Sequence, residues 1–370
     1  MKGHLVSSVT PRVNAIIMGE YGTDPDEVLS IMVAAWLIQN GYLQALAFIG
    51  NHAPALQRAR SAKSTLQNLG LGHIPVGMGE AGFGASNTNC ETDPRFLSLP
   101  TEIQRGRDLL RWTLEQSDDH SVVLVLNSGF TDAVWLWLDR PDLFLAKVVR
   151  VVIMSGIEVE GELPKLDPYG FITPSLGRGG AANNCFDPGA TMHLFHALQA
   201  HNIPMVITTR AAAYRAKMPY GLFHELAATG HPSGQILNER QVASINELWR
   251  KVNAPAGSEL RGKLPIDRDK AWFADTFCGG TLPPIKAEDD ITPYVLEVTL
   301  YDPMNVVAAI PSLLERFYTP FGVKVGSATH QIIGLTPSEH GVSDAEGLRA
   351  FMLECLISVL QTGRMAALTA

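Results

Sequence analysis

The chain has 370 residues, of which 46% are hydrophobic and 18% charged, and its formal net charge is −8. This length and apolar content are enough for a large buried core. The acidic balance, without any cluster of Lys and Arg, argues against a nucleic-acid-binding surface. No apolar run reaches the roughly 18 residues that would indicate a bilayer-spanning helix.

The cysteines and the N-terminal sequence indicate the compartment. Four widely scattered cysteines (Cys90, Cys185, Cys278 and Cys355) include no CxxC pair. This spacing predicts reduced thiols rather than a disulfide framework or a zinc site. The first residues show no apolar stretch of the signal-peptide type. We therefore expect a cytoplasmic protein.

Strand-like and helix-like segments alternate over the first 210 residues. Strands are predicted at 13–18, 43–49, 74–76, 121–127, 148–154 and 204–208. Helices are predicted at 27–40, 54–69, 101–116, 132–138, 142–145 and 191–200. The strands are rich in Val and Ile without polar alternation, which indicates burial on both faces. The pattern predicts an α/β fold with an open, mostly parallel, doubly wound sheet.

The pattern becomes less regular after residue 210. We interpret residues 210–292 as a helical or irregular cap, or insertion, within a single α/β domain spanning 1–370. Strand character returns at 294–300 and 323–325, and a closing helix is predicted at 351–360.

An acid-rich turn follows the first predicted strand. Glu20, Asp24, Asp26 and Glu27 surround a turn that contains glycine. Carboxylates this close repel one another unless a positive charge lies among them, and a hard divalent cation is one candidate. The alternative is an ordinary helix start, with Asp24 as the cap and Pro25 at the first helical position. Glu20 precedes the turn and is not explained by that alternative.

Polar motifs also follow the later strands, where ligands bind in open α/β sheets. They are Gly-Asn at Asn51, Asn-Ser-Gly-Phe-Thr-Asp at 127–132, Met-Ser-Gly at Met154, Asn-Asn-Cys-Phe-Asp-Pro at 183–188 and Tyr-Asp-Pro at 301–303. With the acid-rich turn, this ordered set resembles the inosine-uridine preferring nucleoside hydrolase family over residues 13–310. The family's counterparts are an Asp-rich glycine turn, Gly-Asn, Pro-Leu-Thr-Asn, Met-Gly-Gly, Asn-x-x-x-Asp-Pro and His-Asp-Pro.

The resemblance implies a nucleoside hydrolase-like fold and hydrolysis of the N-glycosidic bond of a ribonucleoside or related ribosyl compound. A Ca²⁺-bound water, activated by a carboxylate, would be the nucleophile. The resemblance also implies a homodimer or homotetramer. The implied catalytic residues are Glu20, Asp26 and Tyr301. The implied ribose-binding residues are Asp26, Asn51, Met154 and Asn183. The implied calcium ligands are Glu20, Glu27, the carbonyl group of Thr131 and Asp302.

Several of these residues have an ordinary structural alternative. Asn51 and Thr131 each precede a predicted helix and could act as caps. Asp302, which is followed by Pro303, has the same capping alternative. Met154 could face the core instead of a pocket.

The chain departs from the family pattern at several positions. Met18 and Glu20 stand where the family has two aspartates, and Glu27 replaces a third. Tyr301 replaces the His of His-Asp-Pro, and its ordinary pKa near 10 makes it a weaker acid. Ala181 replaces an acidic residue that contacts the sugar. The alternative function is therefore a catalytically impaired ribosyl-ligand binding or scaffold protein. A Mg²⁺ phosphohydrolase fits less well, because no P-loop and no evident Lys or Arg accompanies the acids.

Overall fold

The computed structural model describes residues 12–22, 24–82, 96–176, 180–262, 264 and 267–369, with side chains through residue 362. The strands are β1 (Val13–Gly19), β2 (Leu43–Gly50), β3 (Val76–Met78), β4 (Gln104–Arg105), β5 (Val122–Leu126), β6 (Val148–Met154), β7 (Val159–Glu160), β8 (Leu163–Pro164), β9 (Met205–Thr208), β10 (Met218–Pro219), β11 (Glu297–Val298), β12 (Phe321–Val325) and β13 (Ala328–Ile333). The helices are α1 (Pro25–Gln39), α2 (Ala55–Asn68), α3 (Gly106–Glu115), α4 (Thr131–Asp139), α5 (Pro141–Lys147), α6 (Ala182–Phe186), α7 (Pro188–Ala200), α8 (Arg210–Arg215), α9 (Leu222–Ala228), α10 (Pro232–Asn253), α11 (Lys270–Phe277), α12 (Asp302–Ala308), α13 (Pro311–Phe317) and α14 (Ala345–Thr369).

The central sheet has nine strands within the described residues, in the order β12-β13-β9-β6-β5-β1-β2-β3-β4. Every neighbouring pair is parallel except β12 and β13, which form an antiparallel hairpin at one edge. The predicted open, mostly parallel α/β sheet is confirmed. The carboxyl ends of β1, β5, β6, β9 and β13 therefore meet along one edge of the sheet.

Helices cover both faces of the sheet, because both faces of its central strands are apolar. Successive residues of a strand point to opposite faces. In β1, Ala15 and Ile17 join one hydrophobic cluster, while Ile16 and Met18 join the other. All four side chains are at most 1% exposed. This two-sided burial explains why the strands lack polar alternation.

The carboxyl-terminal part of the sheet differs from the sequence prediction. Strand β13 was not predicted, because Thr329, His330 and Gln331 interrupt its apolar pattern. His330 is nevertheless fully buried, and its Nδ1 accepts a hydrogen bond from the backbone N–H of Met205. The strand predicted at 294–300 shrinks to the two residues of β11, which pair with β10 outside the central sheet.

The segment from 210 to 292 contains helices α8 to α11. Leu222, Leu237, Trp249 and Phe273 are buried in the same hydrophobic cluster as the side chains of α1. The described helices include none with the length and apolar character needed to cross a membrane. Cys185, Cys278 and Cys355 are free thiols, and Cys90 lies outside the described residues.

Candidate functional site

A cavity of about 570 Å³ opens at the carboxyl edge of the sheet. Its described walls come from the residues that follow β1, β5, β6, β9 and β13, from the segment around Ala181, and from the start of α12. The volume lies within the roughly 300–1,000 Å³ typical of small-molecule sites. A pocket of suitable size therefore lies at the edge of the sheet where the sequence predicts the site.

Six carboxylates line this cavity, and four of them, Glu20, Asp26, Glu27 and Asp302, are called here the acid cluster; the other two are Asp24 and Glu158. Asp24 caps α1, since its side chain accepts the backbone N–H of Asp26 at 3.1 Å. The helix-start alternative is thus correct for Asp24. Because α1 begins here, its first turn brings Asp26 and Glu27 to the end of β1 beside Glu20.

Backbone hydrogen bonds fix one oxygen of each of two cluster members. Glu27 Oε1 accepts the backbone N–H of Glu20 at 3.1 Å. Asp26 Oδ2 accepts the backbone N–H groups of Tyr301 at 2.9 Å and Asp302 at 3.2 Å. The start of α12 is thereby tied to the start of α1. Helix α12 has no side-chain cap, so the cap alternative does not explain Asp302.

The second oxygen of each of these carboxylates is buried without a hydrogen-bond partner. Asp26 Oδ1 and Glu27 Oε2 are both in this state. Burial, followed by the charges of neighbouring carboxylates, raises the pKa of Asp26, Glu27 and Asp302 well above the ordinary values. Among the described residues, no basic side chain offsets the charges of Asp26, Glu27 and Asp302, and protons or a bound cation would supply the missing positive charge.

A buried arginine lies beside Glu20, although no basic residue is near the acids in the sequence. Arg58 Nη2 is 3.4 Å from Glu20 Oε2, and Arg58 Nη1 donates to the backbone carbonyl of Glu20. Burial raises the pKa of Glu20 to about 7, and the charge of Arg58 partly opposes this rise. Glu20 is thus a carboxylate with a pKa near neutrality.

Thr131 and Asn51, both predicted site residues, are not among the residues that line the cavity. Thr131 begins α4, and its Oγ1 donates to Asp187 Oδ2 at 2.8 Å. Asn51 Nδ2 donates to the carbonyl of Gly129 at 3.2 Å, and its Oδ1 accepts from the Ser128 hydroxyl. Both side chains are engaged in holding the loop after β5 in place.

Asn127, and not Thr131, lines the cavity at the end of β5. It directly follows β5 and lines the cavity. Its Oδ1 accepts from Asn305 Nδ2 at 2.9 Å, while its buried Nδ2 has no hydrogen-bond partner. The available signal was its position, because the first polar residue after a buried parallel strand lies at the ligand-binding edge.

Asn183 and Met154, two of the ribose-binding residues that the resemblance implies, both line the cavity. Asn183 Nδ2 donates to the carbonyls of Asn127 at 2.8 Å and Met154 at 2.9 Å. One amide group therefore bridges the ends of β5 and β6, which leaves its side-chain oxygen for other contacts.

Tyr301 lines the cavity next to the acid cluster. Its ring centroid is 6.5 Å from that of Tyr214. Burial, followed by Tyr214, raises the pKa of Tyr301 far above its ordinary value. The hydroxyl therefore stays protonated at neutral pH, so it can donate a hydrogen bond but is a poor acid.

The acid cluster fits a hard cation in its chemistry. Within the described ranges, no three Asp, Glu, His or Cys side chains are already arranged as a metal site. However, two unpartnered buried carboxylate oxygens, on Asp26 and Glu27, belong to a cluster that also contains Asp302. Carboxylate oxygens are the ligands that Ca²⁺ prefers, and Ca²⁺ tolerates variable geometry.

Comparison with known proteins identifies the fold. No protein-family model and no curated protein matches the sequence. The solved structures that match include the type III effector protein XopQ complexed with adenosine diphosphate ribose, with 27% identity, a TM-score of 0.80 and 95% of each chain covered. A purine-preferring ribonucleoside hydrolase from Gardnerella vaginalis matches with 14% identity, a TM-score of 0.54 and coverage of 94% of this chain and 99% of that one. For the inosine-uridine preferring nucleoside hydrolase from Bacillus anthracis the identity is 11%, the TM-score 0.53, and the coverage again 94% and 99%.

The predicted resemblance is therefore confirmed at the level of fold. The chain has the nucleoside hydrolase fold, at a sequence identity low enough to make it a divergent example. A fold does not by itself establish an activity.

Proposed function

We propose that the cavity binds a ribosyl compound and that the protein hydrolyses its N-glycosidic bond. The observation that carries this proposal is the acid cluster, whose unpartnered carboxylate oxygens lie in the cavity wall at the carboxyl edge of the sheet. Cleavage of such a bond develops positive charge on the sugar, as in the hydrolysis of O-glycosides. Negative side chains beside the sugar would stabilise that charge.

We further propose that Asp26, Glu27 and Asp302 hold Ca²⁺, with Asn127 beside them. The ion would supply the positive charge that lowers the pKa of a nearby water molecule. Glu20, whose pKa is about 7, would take the proton from this water as the general base. A general base acts only when it is deprotonated, so activity should increase as the pH rises through the pKa of Glu20.

The remaining cavity residues would position the sugar. The side-chain oxygen of Asn183 and the side chain of Met154 lie at the ends of the two strands next to the acid cluster. Tyr301 would hold the leaving group through a hydrogen bond, since its raised pKa makes full proton transfer unfavourable. Fixing the sugar in this way lowers the barrier by orienting it toward the water.

The second candidate is binding of a ribosyl ligand without turnover. The ion pair between Arg58 and Glu20 favours it, because a carboxylate held by a guanidinium group is less available as a base or a ligand. XopQ, one of the matching structures, is described as complexed with adenosine diphosphate ribose. A pocket that binds this ligand class without cleaving it would serve recognition.

A panel of ribosyl compounds separates the two candidates. The purified protein is incubated with adenosine, inosine, uridine, cytidine and ADP-ribose, each with Ca²⁺ and with a chelator, and reducing sugar is measured. The proposed hydrolase releases sugar from at least one compound in the presence of Ca²⁺ only. Binding by calorimetry without release from any compound supports the second candidate and contradicts the first.

A further inference from the structure

The cavity spans the ends of several strands, and its wall after β9 carries a positive charge. The sheet order β9-β6-β5-β1 places three strand spacings between the end of β1 and the end of β9. At about 4.8 Å per spacing, these two strand ends are about 14 Å apart. The acids lie beside β1, whereas Arg210 follows β9 and also lines the cavity. The charge of Arg210 also partly opposes the rise in the pKa of Tyr301, so the guanidinium group is close enough to the sugar site to contact a substituent of the sugar.

Arg210 is the one basic side chain among the described residues that line this cavity. Arg210 follows the end of β9, which is hydrogen-bonded on both sides. The backbone N–H of Thr209 donates to the carbonyl of Ile333 in β13 at 3.0 Å, and the backbone N–H of Ser155, after β6, donates to the carbonyl of Thr208 at 3.0 Å. These bonds fix the backbone at the start of α8, so the sheet sets the backbone position of Arg210.

A close backbone approach fixes this end of the cavity further. The Thr209 hydroxyl donates to the carbonyl of Gly334. A side chain at Gly334 would put its Cβ 2.4 Å from the backbone nitrogen of Ala212, and the φ angle of Gly334 is +87°. Only glycine therefore lets the loop after β13 pack against the start of α8, which makes the surroundings of Arg210 a built part of the pocket.

The wall between the acid cluster and Arg210 consists mainly of small residues and includes one carboxylate, Glu158. Gly156, Gly180, Ala181 and Ala182 line it. The wall is also tight, since a Cβ at Gly156 would lie 3.1 Å from the Cβ of Ala181. The family pattern has an acidic residue at the position of Ala181, which would repel an anion. Its replacement by alanine removes one source of repulsion and leaves Glu158 as the carboxylate on this wall.

We propose that Arg210 binds a phosphate or diphosphate group, so that the ligand is a phosphorylated ribosyl compound and not a simple nucleoside. This inference rests on the proposed ribosyl site. A guanidinium group matches phosphate oxygens with paired, charge-assisted hydrogen bonds. The ribosyl part lies at the acid cluster, and the phosphate extends past the small residues Gly156 and Ala181 to Arg210.

The test compares two ligands that differ only in a phosphate group. Calorimetry with AMP and with adenosine, in Ca²⁺, is carried out on the wild-type chain, on Arg210→Gln and on Arg215→Gln. Arg215 is the matched control, because it is exposed at the other end of α8 and does not line the cavity. ADP-ribose is measured in parallel to distinguish a diphosphate from a monophosphate ligand.

The wild-type chain should bind AMP more tightly than adenosine. Arg210→Gln should weaken AMP binding roughly tenfold or more and change adenosine binding by less than about threefold. Arg215→Gln should change neither. An unchanged ratio of AMP to adenosine affinity in Arg210→Gln overturns the proposal, and so does an equal loss for both ligands.

A second variant keeps the test decisive if Arg210→Gln does not fold. Ala181→Glu restores the acid of the family pattern, and it should lower AMP affinity while leaving adenosine affinity unchanged or improved. If Ala181→Glu binds AMP and adenosine each with the same affinity as the wild-type chain, the proposal is contradicted. Selective AMP binding without hydrolysis would overturn only the proposed turnover, whereas failure of the wild-type chain to bind any of the ligands would overturn the ribosyl site as well.

Discussion

Replacing Glu20 by glutamine should reduce the pH dependence of stability in the metal-free protein. The Glu20 side chain is only 17% exposed, and burial raises its pKa from 4.5 to about 7 despite the nearby Arg58. The folded state therefore holds this proton more tightly than the unfolded state does. The stabilisation is present below pH 4.5 and is lost as the pH rises through about 7.

The size of the effect follows from the two pKa values of Glu20. Each pKa unit corresponds to about 1.4 kcal/mol. The change from 4.5 to about 7 therefore makes the wild-type chain lose about 3 kcal/mol of unfolding free energy between pH 4.5 and about pH 8 through this group. Glutamine does not titrate, so the Glu20→Gln variant lacks this loss.

Urea unfolding of both proteins at several pH values, in the presence of a chelator, measures the effect. Loss of the ion pair with Arg58 destabilises the variant at every pH at which Glu20 would be ionised. The other acids also titrate, and they contribute to the pH dependence of both proteins. The informative quantity is therefore how the difference between the curves changes with pH. Two parallel curves between pH 4.5 and about pH 8 would refute the buried, proton-holding state of Glu20.

Four further predictions concern the cavity and its surroundings. Ca²⁺ at about one hundred times its Kd should stabilise the wild-type chain by about 3 kcal/mol in thermal or urea unfolding, and Glu27→Gln should lose most of this gain. Equal gains for the two proteins would contradict a calcium site that includes Glu27. Asp26→Ala should abolish ribosyl binding in calorimetry and cost about 2 kcal/mol in urea unfolding, since two backbone N–H groups lose their acceptor; retained affinity would exclude the assigned role. Gly79→Ala should destabilise the chain by about 2 kcal/mol in urea unfolding, because the new Cβ would lie 2.6 Å from Asp132 Oδ2. Gly221→Ala is the neutral control, since the space around Gly221 is open, and equal stabilities of the two variants would refute the packing argument. Tyr301→Phe should leave the shape of the pH–rate profile unchanged, and loss of one limb of that profile would restore Tyr301 as the acid.

The sheet could be predicted from the sequence wherever its strands are apolar on both faces. Strands β1, β5 and β6 begin and end within one residue of their predicted bounds. Strand β13 escaped prediction because the burial of His330 depends on a hydrogen bond to the backbone of Met205, a partner 125 residues away. Local periodicity carries no information about such a contact.

The same distinction holds for the cavity. The acids at the end of β1 were found because four carboxylates within eight residues are conspicuous in any sequence. Arg58 and Arg210 were missed because each comes from a separate element, and only the folded chain brings them to the cavity or its acids. Thr131 was chosen by motif over Asn127, although the end of β5 decides which residue faces the cavity.

The most direct measurement of the central claim is release of free base by the wild-type chain. Adenosine and AMP are incubated with the protein and Ca²⁺, and adenine is quantified by chromatography, with Glu27→Gln as the control that keeps the fold but removes one carboxylate of the acid cluster. We predict adenine release by the wild-type chain with Ca²⁺, none with a chelator, and at least a roughly hundredfold slower release by Glu27→Gln. Equal release by wild type and Glu27→Gln, or tight binding of both ligands without any adenine, would contradict the proposed hydrolysis at the acid cluster.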